Sequence, residues 1–253
     1  MSAEAIIKAS RAAAALALTV ACGFPPAALA NAAAVVQSMV VGRNGTVLAG
    51  PRYISARAGT VTVSGRRCAV AAGTPLAVLL ALRRAGGPAF ALRDYGHCGA
   101  AARNSGGLFV RELGGEPNRG QDGWEYKVGN VAGATGAGDP SGVQGNGRLL
   151  RSGQRVLWFW CQASAGGCER TLGVSAPASV ARGGSVAVRV TGYDDEGRGA
   201  PVAGAIVRLG SDFATTDSSG RAVLIVPGTS GRYTLSAVRN GLVAAFPARI
   251  VVR

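Results

Sequence analysis

From about Thr171 to Arg253, apolar residues recur at every second position in short runs, and each run is stopped by glycine, proline, serine or aspartate. Residues 186–191, 205–209, 222–226, 233–238 and 248–252 all have this pattern. Turns fall at Asp194-Asp195-Glu196-Gly197, Asp217-Ser218-Ser219-Gly220 and Pro227-Gly228. A side-chain period of two sends neighbours to opposite faces of a sheet. Strands in series with no helical period between them predict an antiparallel β-sandwich over residues 171–253. The 39 glycines and 11 prolines oppose long helices elsewhere, and an apolar fraction of 48 % opposes disorder.

Upstream, one segment has a helical signature. Thr74 is placed to cap it and Pro75 suits the first helical position. Leu76, Leu79, Leu80 and Leu82 form a stripe, Arg83-Arg84 sit in the last turn, and Gly86-Gly87-Pro88 ends it. That stripe is expected to pack on a sheet. Residues 60–63, 108–110, 124–128 and 155–160 read as strands; 155–160 is apolar on both faces, as in a central strand. Residues 31–52 mix small residues with glycine and read as a loose leader or a first edge strand, inside a leader or linker that extends over 31–57. The fold class expected is mainly β with one α+β domain, residues 58–168, followed by the sandwich.

The N-terminus reads as an export signal over residues 1–30. Lys8 and Arg11 precede an apolar run from Ala12 to Phe24, and Ala28-Leu29-Ala30 offers a small-x-small cleavage pattern before Asn31. That run is shorter than the roughly 20 residues needed to span a bilayer. No later run is long enough either, so no transmembrane segment is expected. A secreted, extracellular product follows, with a lipoprotein anchored through Cys22 as the alternative. Cleavage leaves Cys68, Cys98, Cys161 and Cys168, an even count that favours two disulfides in an exported chain. Cys161 and Cys168 flank a short loop of small residues and are paired here, which leaves Cys68 with Cys98. A metal site through His97 lacks the ligand spacing of zinc motifs.

No catalytic constellation is visible. His97 is the only histidine, no nucleophile-elbow or metalloprotease motif occurs, and no cofactor motif appears. Asp194, Asp195 and Glu196 crowd one turn, which reads as a solvated turn or, less readily, a calcium loop. Removing Lys8, Arg11 and Glu4 takes the net charge from +14 to +13. No basic run exceeds two residues, which argues against nucleic acid and leaves weak attraction to an anionic cell-envelope polymer. Trp124, Tyr126, Trp158 and Trp160 are the ligand-binding candidates, because aromatic faces stack on flat or ring-shaped ligands; burial in the core is their other reading. The glycine-rich stretch 129–147 can either approach a ligand closely or serve as a connector.

Two resemblances add to this. Gly73-Thr74-Pro75-Leu76, Gly107-Leu108-Phe109-Val110, Gly123-Trp124-Glu125-Tyr126-Lys127-Val128 and Leu150-Arg151-Ser152-Gly153-Gln154-Arg155-Val156-Leu157-Trp158 resemble the transcobalamin-type C-terminal domain family, over about residues 58–161. The resemblance implies a β-grasp-like sheet with one helix. It also suggests a bound small ligand, a corrinoid in the vitamin carriers. Those carriers complete the pocket with a large helical domain that has no counterpart here. Where the family tends to continue Val-Asn-Gly, this chain has Val128-Gly129-Asn130. Pro201-Val202-Ala203-Gly204-Ala205, Thr216-Asp217-Ser218-Ser219-Gly220 and Gly231-Arg232-Tyr233-Thr234-Leu235 resemble bacterial Ig-like and carboxypeptidase-regulatory-like sandwiches. The function expected is an exported, non-catalytic binding or cell-envelope protein. The alternatives are a carrier of a small corrinoid or glycan in an aromatic cleft, and a hydrolase with an unrecognised carboxylate site.

Overall fold

A computed structural model describes residues 33–253. The expected export signal, its cleavage position and Cys22 lie outside the described residues.

The first half contains β1 (Val35–Val41), β2 (Val47–Ser55), β3 (Gly59–Val63), β4 (Arg66–Val70), helix α1 (Pro75–Arg84), β5 (Phe90–Asp94) and a 3-10 turn at Ala102–Gly107. There follow β6 (Leu108–Leu113), β7 (Glu116–Pro117), β8 (Gly123–Val128), β9 (Val131–Ala132) and β10 (Arg155–Cys161). The second half runs β11 (Thr171–Ser175), β12 (Ser179–Val180), β13 (Ser185–Tyr193), β14 (Gly199–Pro201), β15 (Ile206–Leu209), β16 (Asp212–Thr215), β17 (Arg221–Ile225), β18 (Gly231–Val238) and β19 (Ala248–Val252). Among the described residues, no helix is long and apolar enough to cross a membrane.

The helix forms where its signals place it. The Thr74 hydroxyl accepts the Ala77 amide at 3.2 Å, Pro75 opens the first turn, and Leu76, Leu79 and Leu82 are fully buried. The leucines pack against a mixed five-stranded sheet in the order β2-β1-β10-β8-β9, in which β1 runs parallel to β10. Of the two readings of the stretch from residue 31, the strand one describes residues 35–55. Their strands β1 and β2 belong to this sheet, and β1 lies inside it while β2 takes the edge. Val36, Val40 and Met39 are buried, which fixes β1 in place on both faces. A hairpin of β3 and β4 and a three-stranded unit β5-β6-β7 complete this half.

In the second half, β11-β13-β14 with β17 on β13 make one sheet, and β12-β19-β18-β15-β16 make the other. Val186, Val188, Val190 and Leu224 from the first share one core with Val207, Leu209, Leu235 and Ile250 from the second. The alternation read in the sequence is visible in β13, whose Val186, Val188 and Val190 are buried while Ser185, Ala187 and Arg189 are exposed. Two sheets thus sandwich an apolar layer.

A third cluster joins the halves. β10 buries Val156, Trp158 and Trp160 on the helix side, and Leu157, Phe159 and Cys161 on the other side. Met39 and Val41 of β1 share this second face, and Val243, Ala244 and Phe246 from the segment before β19 cover it. The doubly apolar strand in the sequence is explained by two different layers, one on each face. Disulfides join Cys68 to Cys98 and Cys161 to Cys168.

Candidate functional site

Strands β8 and β10 are antiparallel, with Trp158 opposite Tyr126 and Trp160 opposite Trp124. Their period of two puts all four rings on the helix-facing side. Trp124 and Trp160 meet edge to face at 5.8 Å, and Tyr126 and Trp158 are tilted at 5.5 Å. The Trp124 indole donates to the Glu116 carbonyl at 2.8 Å, and the Tyr126 hydroxyl donates to the Thr135 carbonyl at 2.9 Å. Burial pushes the Tyr126 phenol above its usual range, a push that the Thr135 bond partly offsets. Trp158 differs from these. Its indole N–H is buried and has no acceptor among the described residues.

A cleft of about 280 Å³ opens over part of this cluster. Trp124, Tyr126 and Trp158 line it, together with Leu108–Val110 and the stretch Thr135-Gly136-Ala137 of the glycine-rich loop. The four candidate aromatics therefore divide. Three lie along the cleft while almost wholly buried, so they form its floor and do not present open faces. Trp160 is not on the cleft; the Arg43 guanidinium lies 5.8 Å from its ring centre instead.

The aromatic surface that does reach solvent belongs to Tyr95, 63 % exposed, and Phe109, 42 % exposed, whose rings meet edge to face at 5.9 Å on the cleft's rim. Sequence reasoning passed over both. The signal was present in β6, where Leu108 and Val110 are buried and the intervening Phe109 must face the other way. Tyr95 had no signal, because its position depends on the bend that follows β5.

The part of the 129–147 loop from Gly133 to Gly138 is closely packed, while Gly129 and Gly147 have open space around them. A methyl group on Gly133 would fall within the Tyr126 ring, and one on Gly136 would collide with the Gly106 carbonyl. The Thr135 hydroxyl donates to the Gly142 carbonyl at 2.8 Å, which ties the loop to itself.

The carboxylates do not form a pair facing this cleft. Glu125 borders the cleft through its backbone, and alternation turns its side chain to the opposite face from Trp124 and Tyr126; desolvation raises its carboxyl above the usual range, with a smaller push from the Asp195 charge. In the crowded turn every acid is paired with a cation, two of them with the same one. Asp194 and Glu196 both hold Arg198 at 2.8 Å, and Asp195 holds Lys127 at 3.2 Å. Lys127 is fully buried between the halves, and its ammonium also donates to the Tyr193 carbonyl at 3.2 Å and the Asp194 carbonyl at 2.8 Å. Burial pulls Lys127 below the ordinary lysine range, against the opposing pull of its Asp195 partner.

Scans of family models, of curated proteins and of solved structures each return no match for this chain.

Proposed function

We propose that this chain is an exported, non-catalytic binding protein that holds a ring-shaped ligand, a glycan unit, in the aromatic cleft of its first half. The observation that carries the reading is the rim of the cleft. Tyr95 and Phe109 stand exposed in mutual contact beside a floor built from Trp124, Tyr126 and Trp158. Large apolar side chains exposed together at a concavity mark binding surfaces, and aromatic faces suit sugar rings.

The cleft's size narrows the ligand class. At about 280 Å³ it sits at the low end for small-molecule sites. That space suits one ring with its substituents, which favours a glycan over a corrinoid. Two disulfides support export, because such bonds persist in oxidising compartments. On this reading the first half is a transcobalamin-type, β-grasp-like domain and the second an Ig-like spacer. One helix packed on a mixed sheet, followed by two facing sheets, supports that assignment.

The test is a titration of tryptophan emission with oligomers of N-acetylglucosamine, glucose, galactose and mannose, beside equilibrium dialysis with hydroxocobalamin. One sugar series is expected to give a saturable shift. Tyr95→Ser, which removes one of the two exposed rim rings, is expected to weaken binding about tenfold. Phe109→Ser, at an exposed position, is expected to weaken binding with no change in melting temperature. Absence of binding to every sugar overturns the glycan reading, and one hydroxocobalamin per chain replaces it with the corrinoid one.

A further inference from the structure

Strands β3 and β5 each keep an open edge. β3 pairs only with β4, and β5 pairs only with β6. The β3-β4 hairpin turns through Ser64 and Gly65, both at positive φ, which makes Val63 and Arg66 the hydrogen-bonded closing pair. By alternation, Thr60 and Thr62 turn their backbone N–H and C=O groups away from β4. Among the described residues no hydrogen bond reaches the backbone of either outer edge, whereas the far edge of the hairpin is engaged by Ala69 donating to Gly99.

These two edges wall a groove of about 740 Å³. Its lining is divided by chemistry. Val61, Val63, Leu80, Phe90 and Leu92 supply an apolar part, and Arg83, Arg93 and Arg111 supply a cationic part with no acid in the lining. None of the three arginines is paired with a carboxylate among the described residues. Arg83 donates to the Gly87 carbonyl, and Arg93 lies 4.8 Å from the centre of the Tyr95 ring.

We infer that this groove binds an acidic polypeptide segment in extended form, added as a strand to the β3 or β5 edge, at a site separate from the aromatic cleft. Unpaired strand edges offer donors and acceptors at the spacing of another extended backbone, and strand addition is a general mode of peptide capture. A strand's side chains alternate between two faces, so one face can lie on the apolar part while the other carries carboxylates to the arginines. An acidic glycan or nucleic acid has the charge for the arginines but not the backbone for the edges.

The probe is a fluorescein-labelled peptide of alternating glutamate and valine, eight residues long, followed by anisotropy with the purified full chain. Three comparisons decide the outcome. A peptide of identical sequence N-methylated at every residue keeps its charge but has no N–H to donate along either edge; it is expected to bind at least about tenfold more weakly. Arg83→Glu with Arg111→Glu is expected to weaken the parent peptide by at least about tenfold, through charge reversal at exposed positions. Arg189→Glu with Arg232→Glu makes the same change in net charge on exposed residues of the second half and is expected to leave affinity within about twofold. Absence of binding overturns the inference. So does equal binding of the N-methylated peptide, which reduces the interaction to charge alone, or an equal loss in the two double variants. The aromatic-cleft residues are untouched by these variants, so glycan binding stands or falls separately.

Discussion

Replacing Lys127 by Met tests what holds the two halves together. The substitution keeps an unbranched apolar stem one atom shorter and removes the ammonium, with its charge and its N–H donors. Lys127 is fully buried, and its ammonium serves the carbonyls of Tyr193 and Asp194 and the Asp195 carboxylate at 2.8 to 3.2 Å. Breaking a buried pair by deleting one partner costs about 3–5 kcal/mol. Asp195 keeps the Cys168 amide on its other oxygen, which holds part of its charge in place, so the lower end, about 3 kcal/mol, is expected. For a chain of this length that is a fall of about 6–12 °C in melting temperature by calorimetry. A fall under about 2 °C would refute the claim that this ion pair locks the halves. The pH dependence has a definite sign. The folded pKa of Lys127 is lowered, by burial, from the ordinary 10.5, so the unfolded chain holds the proton more tightly. Stability therefore rises as pH climbs through the folded value and levels off above 10.5. The advantage of wild type over Lys127→Met is expected to widen across that alkaline window.

Three further outcomes follow from named contacts. The Cys68–Cys98 bond closes 30 residues and Cys161–Cys168 closes 7. On chain entropy their paired serine variants lose about 3.7 and about 2.5 kcal/mol in urea unfolding, and the reverse order would refute the entropic account. Gly133→Ala drives a methyl into the Tyr126 ring and is expected to cost about 1–3 kcal/mol, whereas Gly166→Ala, in open space, is expected to leave the melting temperature unchanged. Asp94 accepts the Gly96 and Cys98 amides, and the Gly96 bond, the largest cause, holds its pKa below 3.8. Its stabilising contribution is present above 3.8 and is lost as pH falls through the lower folded value. Asp94→Asn is therefore expected to flatten the acid limb of the stability profile, read by fluorescence-detected unfolding.

Local patterns in the sequence carried much of this architecture. Thr74, Pro75 and the leucine stripe located the helix because capping and periodicity act within a few residues. The strands of the second half were legible for the same reason: each shows one face to the core and one to water. β1 was not, although Val35-Val36 and Val40-Val41 are strongly strand-forming. Its place in the sheet depends on parallel pairing with β10, more than a hundred residues away in sequence. The cleft was half legible. Its aromatic floor announced itself through the alternation of β8, while its exposed rim depends on how the β5-β6 unit packs. Lys127 lay on the charged side of an alternating strand, and only the second half's turn at Asp194-Asp195 turns that position into a buried ion-pair site.

Strand β10 places an unusual limit on how this sequence can diverge. Odd and even positions along it answer to different neighbours: Trp158 to the helix and its own half, Leu157 and Phe159 to Val243, Ala244 and Phe246 of the other. A second half grafted from elsewhere would have to reproduce that three-residue patch, however sound its own interior. Drift at Phe246 should accordingly be matched by compensating change at Met39 or Phe159, so the two halves are bound to evolve together across a seam that neither could alter alone.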